Sequence, residues 1–267
     1  MPFVHANEIE LYCEFAGAGD RLLFISGTGS DLRQQPRVAD SDAFSDFELL
    51  QYDQRGLGRS ATPPGPYTMA DYAEDAAGLL DTVGWDDCVV AGVSFGGMVA
   101  QELTIRHPAR VRRLVLACTS SGGAGGSSYP LHELVELSPE ESLPKRFELI
   151  DTRWDAAWRE ANPDMVKLLR DRFDLRGADG EVDPGLVLQL EARSHHDTAA
   201  RLGQIQCPTL VCAGRYDGIA PLSNSEFLAR GIPNARLEVF DGGHAFFMQD
   251  PSALPAMRDF LLEGHAA

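Results

Sequence analysis

The residues best suited to covalent chemistry are a serine, an aspartate and a histidine, in that order along the chain. Gly92-Val93-Ser94-Phe95-Gly96 closes an apolar run over 88–93 and opens a stretch with helical spacing of apolar residues. Between a buried strand and a helix, Gly-x-Ser-x-Gly makes a tight turn that holds the serine hydroxyl above the end of the sheet. The turn strains the serine backbone, and glycines at 92 and 96 relieve the crowding. A serine hydroxyl is a weak nucleophile at neutral pH, so it needs a base in hydrogen-bond reach and an acid that orients the base. Gly214-Arg215-Tyr216-Asp217-Gly218 offers the acid in one loop, and Asp241-Gly242-Gly243-His244 the base in the next. Asp241 competes with Asp217 for the acid's role, but its closeness to His244 along the chain suits it better to shaping the turn. Cys118-Thr119-Ser120, at the end of the next apolar run over 111–118, where an acid could also stand, has none. We therefore expect Ser94 as nucleophile, His244 as general base and Asp217 as the orienting acid.

Acyl transfer also develops an oxyanion, and one preorganised donor typically lowers the barrier by about 2.7–4 kcal/mol. The backbone N–H groups of Phe95 and of Thr28, in the loop Gly27-Thr28-Gly29-Ser30, are the expected donors. Trp154 and Phe246 are expected to line the substrate pocket, with core packing as the competing role for each. His195 and His196 suit packing or solvent better than the pocket, and Arg33 could meet a substrate carboxylate through its planar fork. The histidines and acids form no helix-based ligand pattern, so neither a metal nor another cofactor is expected.

These residues need a frame. Short apolar, β-branched runs at 21–26, 47–53, 88–93, 111–118, 209–213 and 236–240 read as buried strands, and 69–83 and 97–106 read as helices. Alternation of strand and helix predicts an α/β fold, a mostly parallel sheet covered on both faces. Residues 8–15 read as an antiparallel leading strand, and 251–263 as a closing helix with Pro251 in its first turn. Between 120 and 200 the rhythm stops. Pro130, Pro139, Pro144, Pro163 and Pro184 punctuate that region into short helices, with a turn at Asp179-Gly180. The expected organisation is a core domain of residues 1–119 and 201–267 with a helical cap inserted at 120–200.

Composition narrows the partners. Forty acids against 23 bases give a net charge of −17, which repels phosphate backbones and anionic lipid surfaces. No nucleic-acid or membrane partner is expected. Met1 to Phe15 alternates apolar and polar residues without a basic start, so no export signal is visible. Five cysteines with no Cys-x-x-Cys pair read as buried reduced thiols of a cytoplasmic protein. An apolar cap surface would permit a homodimer.

With these motifs in place, the sequence resembles the serine-nucleophile branch of the α/β-hydrolase superfamily over nearly its whole length, least in the cap. Tyr52-Asp53-Gln54-Arg55-Gly56-Leu57-Gly58-Arg59-Ser60 is similar to that superfamily's Asp-x-Arg-Gly-x-Gly-x-Ser segment, which implies structural roles for Asp53 and Arg55. Ser26 to Arg33 and Val111 to Ala117 resemble the β-ketoadipate enol-lactonases. Ser194-His195-His196-Asp197, Ile205-Gln206-Cys207-Pro208 and Gly242-Gly243-His244-Ala245 resemble the aminoacrylate hydrolases of pyrimidine utilisation. Both subgroups imply small polar, often carboxylate-bearing substrates and no cofactor. Ser94 stands where epoxide hydrolases and haloalkane dehalogenases carry aspartate, which disfavours those reactions, and the His-Gly-Gly-Pro-Gly loop of the proline iminopeptidases is absent. The leading expectation is hydrolysis of a carboxylic ester or lactone of a small molecule through an acyl-serine. The alternatives are cleavage of an activated C–C or enamine-type bond on the same triad, and a catalytically silent fold that binds a ligand or partner.

Overall fold

The apolar runs assemble into one eight-stranded sheet in the computed structural model, which describes residues 2–35, 37–173 and 182–264. Its strands are β1 (Phe3–Ala6), β2 (Ile9–Ala16), β3 (Asp20–Ile25), β4 (Phe47–Tyr52), β5 (Cys88–Val93), β6 (Val111–Ala117), β7 (Thr209–Gly214) and β8 (Ala235–Phe240). The spatial order is β1-β2-β4-β3-β5-β6-β7-β8. β1 and β2 run antiparallel to their neighbours, and every pair from β4 to β8 is parallel. The strand period of two sends alternate residues to opposite faces. Leu23, Ile25, Val90, Leu114 and Val211 pack under one helical layer, while Leu22, Phe24, Val89, Val115 and Leu210 pack under the other. That double burial is why β5 reads as an unbroken apolar run.

The first layer holds α1 (Met69–Thr82), α2 (Phe95–Arg106) and α8 (Leu222–Gly231), and the second holds α10 (Ala253–Leu262). α1 starts at Thr68 because a capping box closes it: the Thr68 hydroxyl accepts from Asp71 N, and the Asp71 carboxylate accepts from Thr68 N. Between β6 and β7 the chain forms α3 (His132–Val135), α4 (Pro139–Ile150), α5 (Ala156–Ala161), α6 (Pro163–Phe173) and α7 (Pro184–Ser194). α9 (Phe246–Gln249) follows β8. Leu131, Leu134, Leu149, Ile150, Leu186 and Leu190 from α3, α4, α7 and their flanks meet Leu57 and Ile219 of the sheet loops in a third apolar cluster.

Several boundaries depart from the pattern reading. β1 is an edge strand of four residues with mixed exposure, too short for alternation to reveal. Pro139, Pro163 and Pro184 each begin a helix, where proline's missing N–H costs nothing. Pro144 instead sits inside α4, which loses one hydrogen bond there but continues because Phe147, Leu149 and Ile150 are buried beyond it. The closing helix begins at Ala253, and Pro251 lies in the turn before it. The Asp179-Gly180 turn lies outside the described residues. Among the described residues all five cysteines are free thiols, and no helix is long and apolar enough to cross a membrane.

Where the chain returns from α7 to the sheet, His195 is exposed and His196 is buried near the Glu102–Arg201 ion pair. Burial pushes the His196 imidazole down to about 4, against the opposing pull of Glu102. The folded state thus keeps His196 neutral while an unfolded histidine protonates near pH 6.5. Its contribution is complete above pH 6.5 and is lost as pH falls towards 4, on the order of 3 kcal/mol in all. Substituting His196→Gln is expected to flatten that part of the stability–pH profile, as read from urea midpoints at each pH. Leu23→Ala, at a fully buried site in β3, is expected to cost about 2–5 kcal/mol in the same urea assay at neutral pH.

Candidate active site

Three loops at the carboxyl ends of β5, β7 and β8 converge, as open α/β sheets allow. Ser94 leaves β5 with φ 56° and ψ −116°, a left-handed backbone that side-chain-bearing residues rarely adopt. The glycines of the motif have a steric reason: a Cβ on Gly92 would sit 2.5 Å from the Gly96 carbonyl oxygen, and one on Gly96 would collide with the Ile25 carbonyl. Two bonds hold the strained residue in place. Ser94 N donates to Ala117 O at 2.8 Å, and the Thr119 hydroxyl donates to Ser94 O at 2.8 Å. Thr119 is a support that the sequence pattern does not reveal.

The side chains line up as a relay. Ser94 Oγ lies 3.0 Å from His244 Nε2, and His244 Nδ1 lies 2.8 Å from Asp217 Oδ2. Asp217 is buried, and its other oxygen accepts from Ile219 N and Ala220 N, both at 2.8 Å. An imidazole held this way has Nδ1–H aimed at the carboxylate and a free lone pair on Nε2 for the hydroxyl proton. Asp241 does not reach His244, being exposed and paired with Arg153 at 3.1 Å. The histidine loop is fixed from elsewhere: His244 N donates to Ile150 O, and Gln249 accepts from Gly243 N at 2.8 Å while donating to Asp151 at 2.8 Å. Gly218 N, beside Asp217, donates to Leu149 O at 2.9 Å.

Phe95 N opens α2, and neither it nor Thr28 N has a hydrogen-bond partner among the described residues. Gly27 brings the Thr28 loop against the serine, since a Cβ on it would lie 3.5 Å from Ser94 Cβ. The loop is tethered on three sides. Gly29 N donates to Gln189 of α7 at 2.8 Å, Gln54 Nε2 donates to Ser26 O at 2.9 Å, and Leu32 N donates to Asp53 Oδ1 at 2.7 Å. Asp53 also accepts from Arg59 N at 2.8 Å, and Arg55 forms a buried two-pronged pair with Asp75 at 2.6 Å. Both residues hold the frame rather than face the cavity.

Ser94 and His244 open onto a cavity of about 290 Å³. Leu131, Leu134, Leu149, Ile150 and Ile219 form its apolar wall, and Thr28, Gln51, Arg37 and Arg146 bring polar groups to it. Trp154 and Phe246 are not in that lining, which corrects the expectation for both. Trp154 stacks on Trp158 with centroids 4.8 Å apart and leans on Phe147, while Phe246 is fully buried and stacked on Phe240 at 5.1 Å. The next residues of α9, Phe247 and Met248, take the cavity wall instead. Arg33 folds back onto Asp31 at the surface, and the arginines that line the cavity are Arg37 and Arg146. His195 and His196 do not line it, and the Phe173 side chain lies outside the described ones. Among the described residues no three His, Cys, Asp or Glu side chains cluster as a metal site would require.

Comparison with known proteins agrees with this architecture. The family model for the alpha/beta hydrolase fold matches residues 20–188 and 180–251. A protein of Azorhizobium caulinodans named "Putative carbamate hydrolase RutD" is 29% identical over 264 residues, covering 96% of each chain. The 3-oxoadipate enol-lactonase 2 of Acinetobacter baylyi is 29% identical, covering 95% of each. Among solved structures, the enol-lactonase from Burkholderia xenovorans LB400 superposes with a TM-score of 0.80 at 25% identity, covering 98% of this chain and all of that one. The eight-stranded sheet, its flanking helices and these matches make the chain a member of the alpha/beta hydrolase family, with hydrolase activity as the family's chemistry.

Proposed function

We propose that the protein is a serine hydrolase that cleaves a carboxylic ester or lactone of a small molecule through an acyl-serine intermediate. The observation that carries this reading is the unbroken relay from Ser94 Oγ through His244 to the buried Asp217, opening onto the cavity. Ser94 Oγ attacks the carbonyl carbon as His244 Nε2 takes its proton. The tetrahedral oxyanion is met by the N–H groups of Phe95 and Thr28. Collapse breaks the carbon–oxygen bond, and His244 returns the proton to the leaving alcohol. Water then attacks the acyl-serine with His244 again as base, which releases the acid and restores the hydroxyl. Throughout, Asp217 keeps Nδ1–H pointed away from the serine and stabilises the imidazolium.

The enol-lactonase relatives support an ester-like scissile bond, because an enol-lactone is an internal ester. A second reading, cleavage of a carbamate on the same relay in place of the C–C or enamine-type bond expected as the alternative, is favoured by the relative named for carbamate hydrolysis. Product analysis separates the two. Incubation with a fluorophosphonate followed by peptide mapping is expected to label Ser94, and a panel of short esters and small lactones is expected to contain a substrate. On that substrate Ser94→Ala is expected to lower turnover by about four to six orders of magnitude. Absence of labelling, or a rate unchanged by the substitution, would overturn the reading.

A further inference from the structure

One end of the cavity is built from groups that the hydrolytic relay does not use. Gln51 sits on β4 between Glu14 of β2 and Phe24 of β3, and it is only 2% exposed. Its side chain lies on the sheet face otherwise filled by Leu22, Phe24 and Leu49, where an unsatisfied amide is costly. Yet it is poorly satisfied. Nε2 makes one long contact, 3.4 Å to Asp40 Oδ1, and Oε1 is buried with no partner while the side chain lines the cavity. The Thr28 hydroxyl, on the same lining, is also buried without a partner.

Charge decides which way the amide faces. Arg37 Nε donates to Asp40 at 2.8 Å; burial alone would raise the Asp40 carboxyl, but the hydrogen bond and charge of Arg37 outweigh it and hold the group below the usual carboxylate range. An ionised Asp40 only accepts, so it draws the amide nitrogen of Gln51 and leaves the carbonyl oxygen for the cavity. The charge at this end is matched. Arg37 is bonded to Glu14 at 2.7 Å as well as to Asp40, and Arg59 lies 3.6 Å from Glu14, so two guanidinium groups stand against two acids: a substrate carboxylate would meet the acids and committed guanidinium groups, and an ammonium would meet the guanidinium charge.

We propose that this end of the cavity recognises a neutral hydrogen-bond donor on the substrate, a hydroxyl or primary amide remote from the scissile carbonyl, with Gln51 Oε1 accepting from it. The inference rests on the serine-hydrolase reading and adds a specificity-determining residue to it. A site with a buried acceptor rejects an analogue that lacks the donor, because the acceptor is then left desolvated and unpaired.

The test uses two matched ester series, one varied at the far end of the acyl chain and the other at the far end of the alcohol. Each carries a methyl, hydroxyl, carboxamide, ammonium or carboxylate end. The compounds are assayed both as substrates and as competitors of fluorophosphonate labelling at Ser94, so that labelling without turnover still ranks the ends. In one of the series the hydroxyl or carboxamide is expected to exceed the methyl compound of equal length by about tenfold in kcat/KM or in competition, and Gln51→Leu is expected to erase that preference. If Gln51→Leu does not fold, the selectivity of the unaltered protein decides alone. A flat ranking in both series, a carboxylate or ammonium ranked first, or a preference that survives in folded Gln51→Leu overturns the inference while turnover or labelling leaves the hydrolase reading standing. Failure of both turnover and labelling removes that reading and the inference with it.

Discussion

The left-handed backbone at Ser94 is the constraint on which the site depends. A non-glycine residue in that region is strained by roughly 1–3 kcal/mol and persists only where its surroundings over-determine it. Here β6 and its following loop do so, through Ala117 O and the Thr119 hydroxyl, while α2 takes up the chain immediately after. The elbow therefore requires the parallel pairing of β5 with β6, whose register puts Val93 beside Ala117. That pairing is in turn stable because both strands bury side chains on both faces. The strain at one residue is thus borne by the whole central sheet.

Much of this frame is legible in the chain itself. The apolar runs locate six strands to within a residue or so at each end; those inside the sheet, buried on both faces, leave a continuous signal, and the edge strand β8 leaves a mixed one. β1 escapes because its burial is partial and its length short. That Ser94, Asp217 and His244 meet is readable from their places after β5, β7 and β8 at the same end of a parallel sheet. Their roles in a reaction remain part of the proposal.

What is not legible are the contacts made across long stretches of sequence. Nothing in the pattern links Gln189 to the Thr28 loop, Gln249 to Asp151, or Thr119 to the serine, since each is a single polar side chain whose partner is set by packing. The cavity wall is likewise a matter of helical phase. One residue along α9 rotates the side chain by about a quarter turn, and that separates the buried Phe246 from the cavity-lining Phe247. Trp154 is spent on stacking with Trp158.

The end of α4 contributes to the site through its main chain. Leu149 O accepts from Gly218 N beside the acid, and Ile150 O accepts from His244 N. A carbonyl is common to every residue type, so neither bond prescribes what stands at 149 or 150, only where the backbone runs. At these two points the roof of the cavity is attached in a way that leaves its side chains free to vary. A chain that swaps its α3–α7 segment for another can acquire a new pocket and keep the relay, provided that the replacement returns two carbonyl groups to the same positions and restores what Asp151 gives Gln249 and Gln189 gives the Thr28 loop.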